Sequence, residues 1–196
     1  MNRFLFTGIE AFAASFAVIP VILYLKKLYG WSTRKTICYI ALSLYLAGMY
    51  AVVGLPNVAY IRFEPNLNFE PFAYMFSDWE NTFLNVVLFL PLGFVLPVCW
   101  QNFNPFWKTM LLGFGFSVLI ETLQIFSFRA TDINDLMTNT MGTLLGWMTA
   151  RQILFLAPGL VPGKNTKEFY YLCIVTFSVM FFLHPFLSDL VWSILR

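Results

Sequence analysis

Between residues 121 and 146 the chain carries Glu121, Gln124, Arg129, Asp132, Asp135 and Asn139, followed by Gly142 and Gly146. Upstream, Asn85 precedes Phe89-Leu-Pro91-Leu-Gly93. The flanking sequence is hydrocarbon-like. Ionisable groups cost kilocalories in a bilayer and mark functional positions there. Glu121 and Asp135 are the residue types for general acid or base work. The planar fork of Arg129 suits a phosphate or a carboxylate, or a developing anion. Asn85, Asn139, Glu121 and Asp135 suit sugar hydroxyls and peptide amides. Each residue also has a plainer reading. Glu121, Asn85, Gln124 and Asn139 can serve as hydrogen bonds that pack helices. Arg129 can snorkel to an interface, and Asp132 or Asp135 can cap a helix at its positive end.

The elements that must position these groups follow from composition. Of the 196 residues, 59% are hydrophobic, 19% aromatic and 11% charged, and mean hydropathy is +0.72. Soluble domains carry about 25% charged residues. The composition therefore predicts an all-α polytopic transmembrane bundle, with residues 1–196 forming a single transmembrane domain. A net charge of +2 gives no footprint for nucleic acid. Cys38, Cys99 and Cys173 have no metal-type spacing, and we expect unbridged, inert thiols.

A membrane helix needs about 20 mostly apolar residues. Six stretches qualify: 4–25, 36–56, 81–100, 108–127, 134–157 and 169–192. The first is too long for a signal-peptide core and reads as a retained span. An even number puts both termini on one side. Lys26, Lys27, Arg34, Lys35, Lys108, Arg151, Lys164 and Lys167 fall in or beside alternate loops, which marks those loops as cytoplasmic and both termini as outside. Arg3, Arg62, Arg129 and Arg196 fall on the other side. No internal repeat supports an inverted-repeat transporter. Pro91 and Pro97 predict a kinked third span. The segment 57–80, with Glu64, Glu70, Phe69, Phe72, Tyr74, Phe76 and Trp79, reads as an outer aromatic belt or as a lid over a site. The turn-rich stretch 158–164 reads as a connector, and His184-Pro185 as a lone histidine beside a kink.

Depth ties the polar residues together. At about 1.5 Å per residue, Asn85 lies roughly 6 Å below the outer surface and Glu121 roughly 9 Å. Asp135 and Asn139 start the fifth span in the same outer shell. Asp135, Asn139, Gly142 and Gly146 share about 60° of one helix face, and glycines four apart admit a neighbouring backbone. Three spans thus deliver their polar groups to one depth.

The composite pattern Asn85…Phe89-x-Pro91-x-Gly93, Glu121-x-x-Gln124, Arg129-x-x-Asp132-x-x-Asp135, Asn139-x-x-Gly142-x-x-x-Gly146 resembles the VanZ-like family over a signature region of about 85–146. The name-giving members of that family accompany glycopeptide-resistance genes in Gram-positive bacteria. The resemblance implies an integral membrane protein of the cell envelope and, for some members, tolerance to teicoplanin-type lipoglycopeptides. It supplies no established reaction. The leading expectation is a non-enzymatic plasma-membrane protein. It binds a lipid-linked cell-wall intermediate or an acylated glycopeptide at an outward-facing polar site formed by Asn85, Glu121, Gln124, Arg129, Asp132, Asp135 and Asn139. Phe89, Pro91, Gly93, Gly142 and Gly146 are its structural motif. The alternative is an intramembrane hydrolase or transferase with Glu121 or Asp135 as acid or base; a proton-coupled transporter or flippase ranks below it. Glu121, Asp132 and Asp135 offer hard oxygens to a divalent cation in the enzyme reading, but no metal or cofactor is assigned. Membrane lipids are the expected partners, with no nucleic acid.

Overall fold

The computed structural model describes residues 3–63, 65–72, 78–127, 129–157 and 163–195. Glu64, Tyr74, Phe76, Arg196 and the 158–162 part of the expected connector lie outside the described residues. Seven α-helices occur among the described residues. They are α1 Arg3–Tyr29, α2 Thr33–Val53, α3 Trp79–Cys99, α4 Phe106–Gln124, α5 Ile133–Leu156, α6 Lys167–Phe182 and α7 His184–Leu195. The only strands among those residues are two dipeptides, β1 Leu67–Asn68 and β2 Thr131–Asp132, paired in parallel. The all-α polytopic expectation is borne out.

Contacts divide the chain into two compact units. Met1–Arg62 with Lys167–Arg196 forms the first, in which α1 packs on α2, α6 and α7. Phe63–Thr166 forms the second, built on α3, α4 and α5.

Local chemistry sets the helix ends. The Ser32 hydroxyl accepts from Lys35 N at the start of α2. Gly54 ends that helix at φ +66°, where Gly54 N reaches Ala51 O and Leu55 N reaches Tyr50 O. Asp132 caps α5 by accepting from Asn134 N. The α3 helix runs unbroken over Pro91 and Pro97. A bend of 54° separates α6 from α7 at Leu183, immediately before His184-Pro185.

Four helical stretches are long and apolar enough to cross a membrane, lying in α1, α2, α3 and α4. The bent α6–α7 pair, taken as one span, makes a fifth. The remaining expected span, the fifth in chain order, is α5. Its 24 residues reach about 36 Å, but Asn134, Asp135, Asn139 and Arg151 dilute its apolarity. Burial on α4 is inverted relative to a helix of a soluble bundle. On α4 the buried side is Thr109, Gly113, Ser117, Ile120, Glu121 and Gln124, while Leu111, Phe114, Val118 and Leu119 face outward. Apolar groups face out where the solvent is hydrocarbon, and polar groups find partners inside.

Candidate functional site

The second unit is held by a close α3–α5 seam. A methyl added at Gly142 would press on the Val86 carbonyl and lie 3.1 Å from Phe89 Cβ. One at Gly146 would press on the Leu90 carbonyl and lie 2.7 Å from Phe94 N. One at Gly93 would meet the Thr143 backbone. Glycine is needed at these three positions because backbone meets backbone there. Phe89 is fully buried in the same seam. The expected structural motif therefore sets the distance between α3 and α5.

That spacing brings the polar ends together. Asn85, in the second turn of α3, donates from Nδ2 to Asp135 Oδ1 at 2.6 Å. Glu121, buried in the last turn of α4, accepts from Asp132 N through Oε2 at 2.9 Å, and its carbonyl accepts from Thr131 Oγ1 at 2.9 Å. Asp132 uses both oxygens. Oδ1 takes Asn134 N and Asn134 Nδ2, each at 2.8 Å, and Oδ2 takes Asn68 Nδ2 at 3.0 Å. Asp132, Arg129 and Asp78 are close enough to act on the charge of Asp135. Arg129 is exposed in the turn between α4 and β2.

Asn139 stands one turn deeper and leaves this cluster. Its Nδ2 donates to Ser117 Oγ on α4 at 2.9 Å, while its Oδ1 is buried with no hydrogen-bond partner among the described residues. Gln124 is buried at the end of α4, where its carbonyl accepts from the Ser127 backbone and hydroxyl. Pro91 lies within the continuous α3, away from the polar groups.

Two members of the cluster escape a reading of the sequence. Asn68 and Asn134 fasten the segment before α3 to the start of α5. Thr131 N donates to Asn66 O at 2.8 Å within the β1–β2 pair. Asn134 Oδ1 takes Phe72 N at 2.6 Å, and its Nδ2 reaches Glu70 O at 3.1 Å. Phe72 adopts φ +63°, a left-handed conformation that bulky residues rarely hold. The Phe63 ring meets that of Phe126 with centroids 5.7 Å apart and planes tilted by 49°. The Asp132-x-Asn134 spacing carries a capping signal for Asn134. Asn68 has none, because its partner is 64 residues away. Among the described residues no three acids, histidines or cysteines are grouped to hold a metal ion.

Comparison with known proteins gives a match to the VanZ/LLP1 family model over residues 36–156. The chain belongs to the VanZ/LLP1 family. The match takes in every residue of the polar cluster, as the resemblance implied. A VanZ/LLP1 relative, "Protein VanZ" of Enterococcus faecium, is 36% identical over 86 residues, which is 42% of this chain and 51% of the relative. The chain thus spans about half the length of that curated relative. No solved structure matches the VanZ/LLP1 chain.

Proposed function

We propose that this VanZ-like membrane protein binds an amphiphilic envelope ligand at the end of α3, α4 and α5. The ligand is a lipid-linked cell-wall intermediate or an acylated glycopeptide. The site faces outward across a multi-pass plasma-membrane bundle and contributes to teicoplanin-type tolerance.

The observation that carries the reading is the Asn85–Asp135 pair beside the exposed Arg129, at one end of an otherwise apolar unit. A guanidinium there suits a phosphate or carboxylate head. Exposed Phe63, Phe69, Phe72 and Trp79 border the same end and suit an acyl or aromatic part of the ligand. Binding is favoured over catalysis by the way the acids are used. Glu121 Oε2, Asp135 Oδ1 and both oxygens of Asp132 already accept protein hydrogen bonds. Such groups hold a shape more readily than they shuttle a proton.

The test compares teicoplanin and vancomycin susceptibility in a sensitive Gram-positive host carrying wild type, Glu121→Gln or Arg129→Ala at matched membrane levels. Wild type should raise teicoplanin tolerance, Arg129→Ala should remove most of the gain, and Glu121→Gln should retain part of it. Complete loss in Glu121→Gln, with teicoplanin binding and fold intact, would favour the hydrolase or transferase. No gain from wild type would remove the antibiotic from the reading.

A further inference from the structure

The first unit holds a second polar centre, which the function above does not use. Glu10 on α1 and His184 at the start of α7 are only 6% and 7% exposed. His184 Nε2 lies 3.1 Å from Glu10 Oε2 and 3.1 Å from the Glu10 carbonyl, so this ring nitrogen carries a hydrogen. Glu10 Oε1 accepts from Ser188 Oγ at 2.8 Å and Trp192 Nε1 at 2.9 Å. A carboxylate with three side-chain donors inside a membrane helix is costly to assemble. Hydrophobic packing would hold α1 to α7 without it.

This centre is the wall of a cavity of about 560 Å³, a size that takes a small organic group. Besides Glu10 and His184, the cavity is lined by Tyr50, Tyr60, Trp192 and the exposed acid Asp189. Among the described residues no lysine or arginine lines it. The carboxy-terminal turn of α2, from Tyr50 to Gly54, presents its negative end to the same space. The start of α7 brings a positive end, which Glu10 and Asp189 offset. Three electron-rich rings and two acids around a space with no lysine or arginine among its described lining form the chemistry that recognises an ammonium group.

We propose that this cavity is a second binding site, which takes the ammonium group of a free amine or of an amine-bearing lipid headgroup. Asp189 and Tyr60 meet the cation at the rim, the buried Tyr50 ring lies deeper, and Glu10 supplies the buried negative field. Glu10, His184, Ser188, Asp189 and Trp192 fall outside the 36–156 family match, whereas Tyr50 and Tyr60 fall inside it.

The test uses the full chain in phosphatidylglycerol nanodiscs, with choline as probe and its uncharged carbon isostere as control, read by calorimetry. Choline should bind and the isostere should not. Asp189→Asn should weaken choline about fivefold, the upper range for one exposed ion pair, and Tyr60→Leu should weaken it about threefold. Both changes are at the rim, so the result does not depend on whether Glu10→Gln folds. Addition of phosphatidylethanolamine to the discs separates the two sources. Competition with choline assigns the site to a lipid headgroup, and unchanged choline binding assigns it to a soluble amine. Equal binding of choline and its isostere, no binding of choline, or indifference to both rim changes would overturn the proposal.

Discussion

Asp132 ties three parts of the polar cluster together. Its backbone N–H serves Glu121, one oxygen caps α5, and the other holds Asn68. Replacement of Asp132 by Ala keeps the backbone donor and removes both side-chain roles. The lost cap alone costs about 1 kcal/mol, and the lost tie to Asn68 frees β1. Asn68→Ala removes the tie and keeps the cap. Hydrogen exchange should therefore rise at Thr131 and Phe72 in both variants, whereas exchange in the first turn of α5 should rise only in Asp132→Ala. Equal exchange in the two variants throughout would mean that Asp132 does not join the loop to the helix. The acids and amides of this cluster were legible in the sequence because polar residues are conspicuous in apolar spans and three of those spans placed them at one depth. The pairs themselves were less so. Asn85 was grouped with Asp135, but nothing in the spacing shows that these two bond directly while Asn139 turns to Ser117. Burial at one depth is a property of each helix, whereas a partner is a property of two.

At the scale of the elements, the α3–α5 seam is the feature that sets the geometry of the site. Its glycines are not interchangeable with the glycines on the lipid side. Gly142→Ala would drive a methyl into the Val86 carbonyl, and backbone cannot swing aside as a side chain can. Overpacking of this kind costs about 1–3 kcal/mol. Gly115, exposed on α4 with nothing within 4 Å of an added methyl, is the internal control. Gly115→Ala should be neutral or stabilising by up to about 1 kcal/mol, since Ala is the better helix former. Thermal denaturation in mild detergent should lower the midpoint for Gly142→Ala and leave it level or raised for Gly115→Ala; the reverse order would refute the seam. The helices were readable because each is a run of apolar residues of bilayer length, and the spacing of Gly142 and Gly146 pointed to close approach. The β1–β2 pairing and the Glu10–His184 contact were not readable. They join residues 64 and 174 positions apart, and no local periodicity encodes such a meeting.

For the whole molecule, the decisive quantity is which side of the membrane the Arg129 turn occupies. Eight of the twelve basic residues fall in or beside one set of loops, and juxtamembrane lysine and arginine resist translocation. The 3₁₀ turn Gln101–Phe103 precedes α4 and the segment at Ala130 follows it, so the two lie at opposite ends of that helix. If α4 crosses the bilayer, they lie on opposite sides. Ala130 and Asn102 are both exposed, so a cysteine at either position is open to reagent. Native Cys38 is also exposed, and Cys99 and Cys173 are partly so, which requires a background with all three replaced by serine. In that background Ala130→Cys should react with a membrane-impermeant maleimide in intact cells, and Asn102→Cys only after permeabilisation. The proposed site needs this orientation, because lipoglycopeptides and the last lipid-linked precursors of the wall act on the outer leaflet. The opposite pattern would turn the polar cluster to the cytoplasm. It would leave the fold and the family untouched, exclude the antibiotic as a direct ligand, and redirect the site to a precursor before it is flipped.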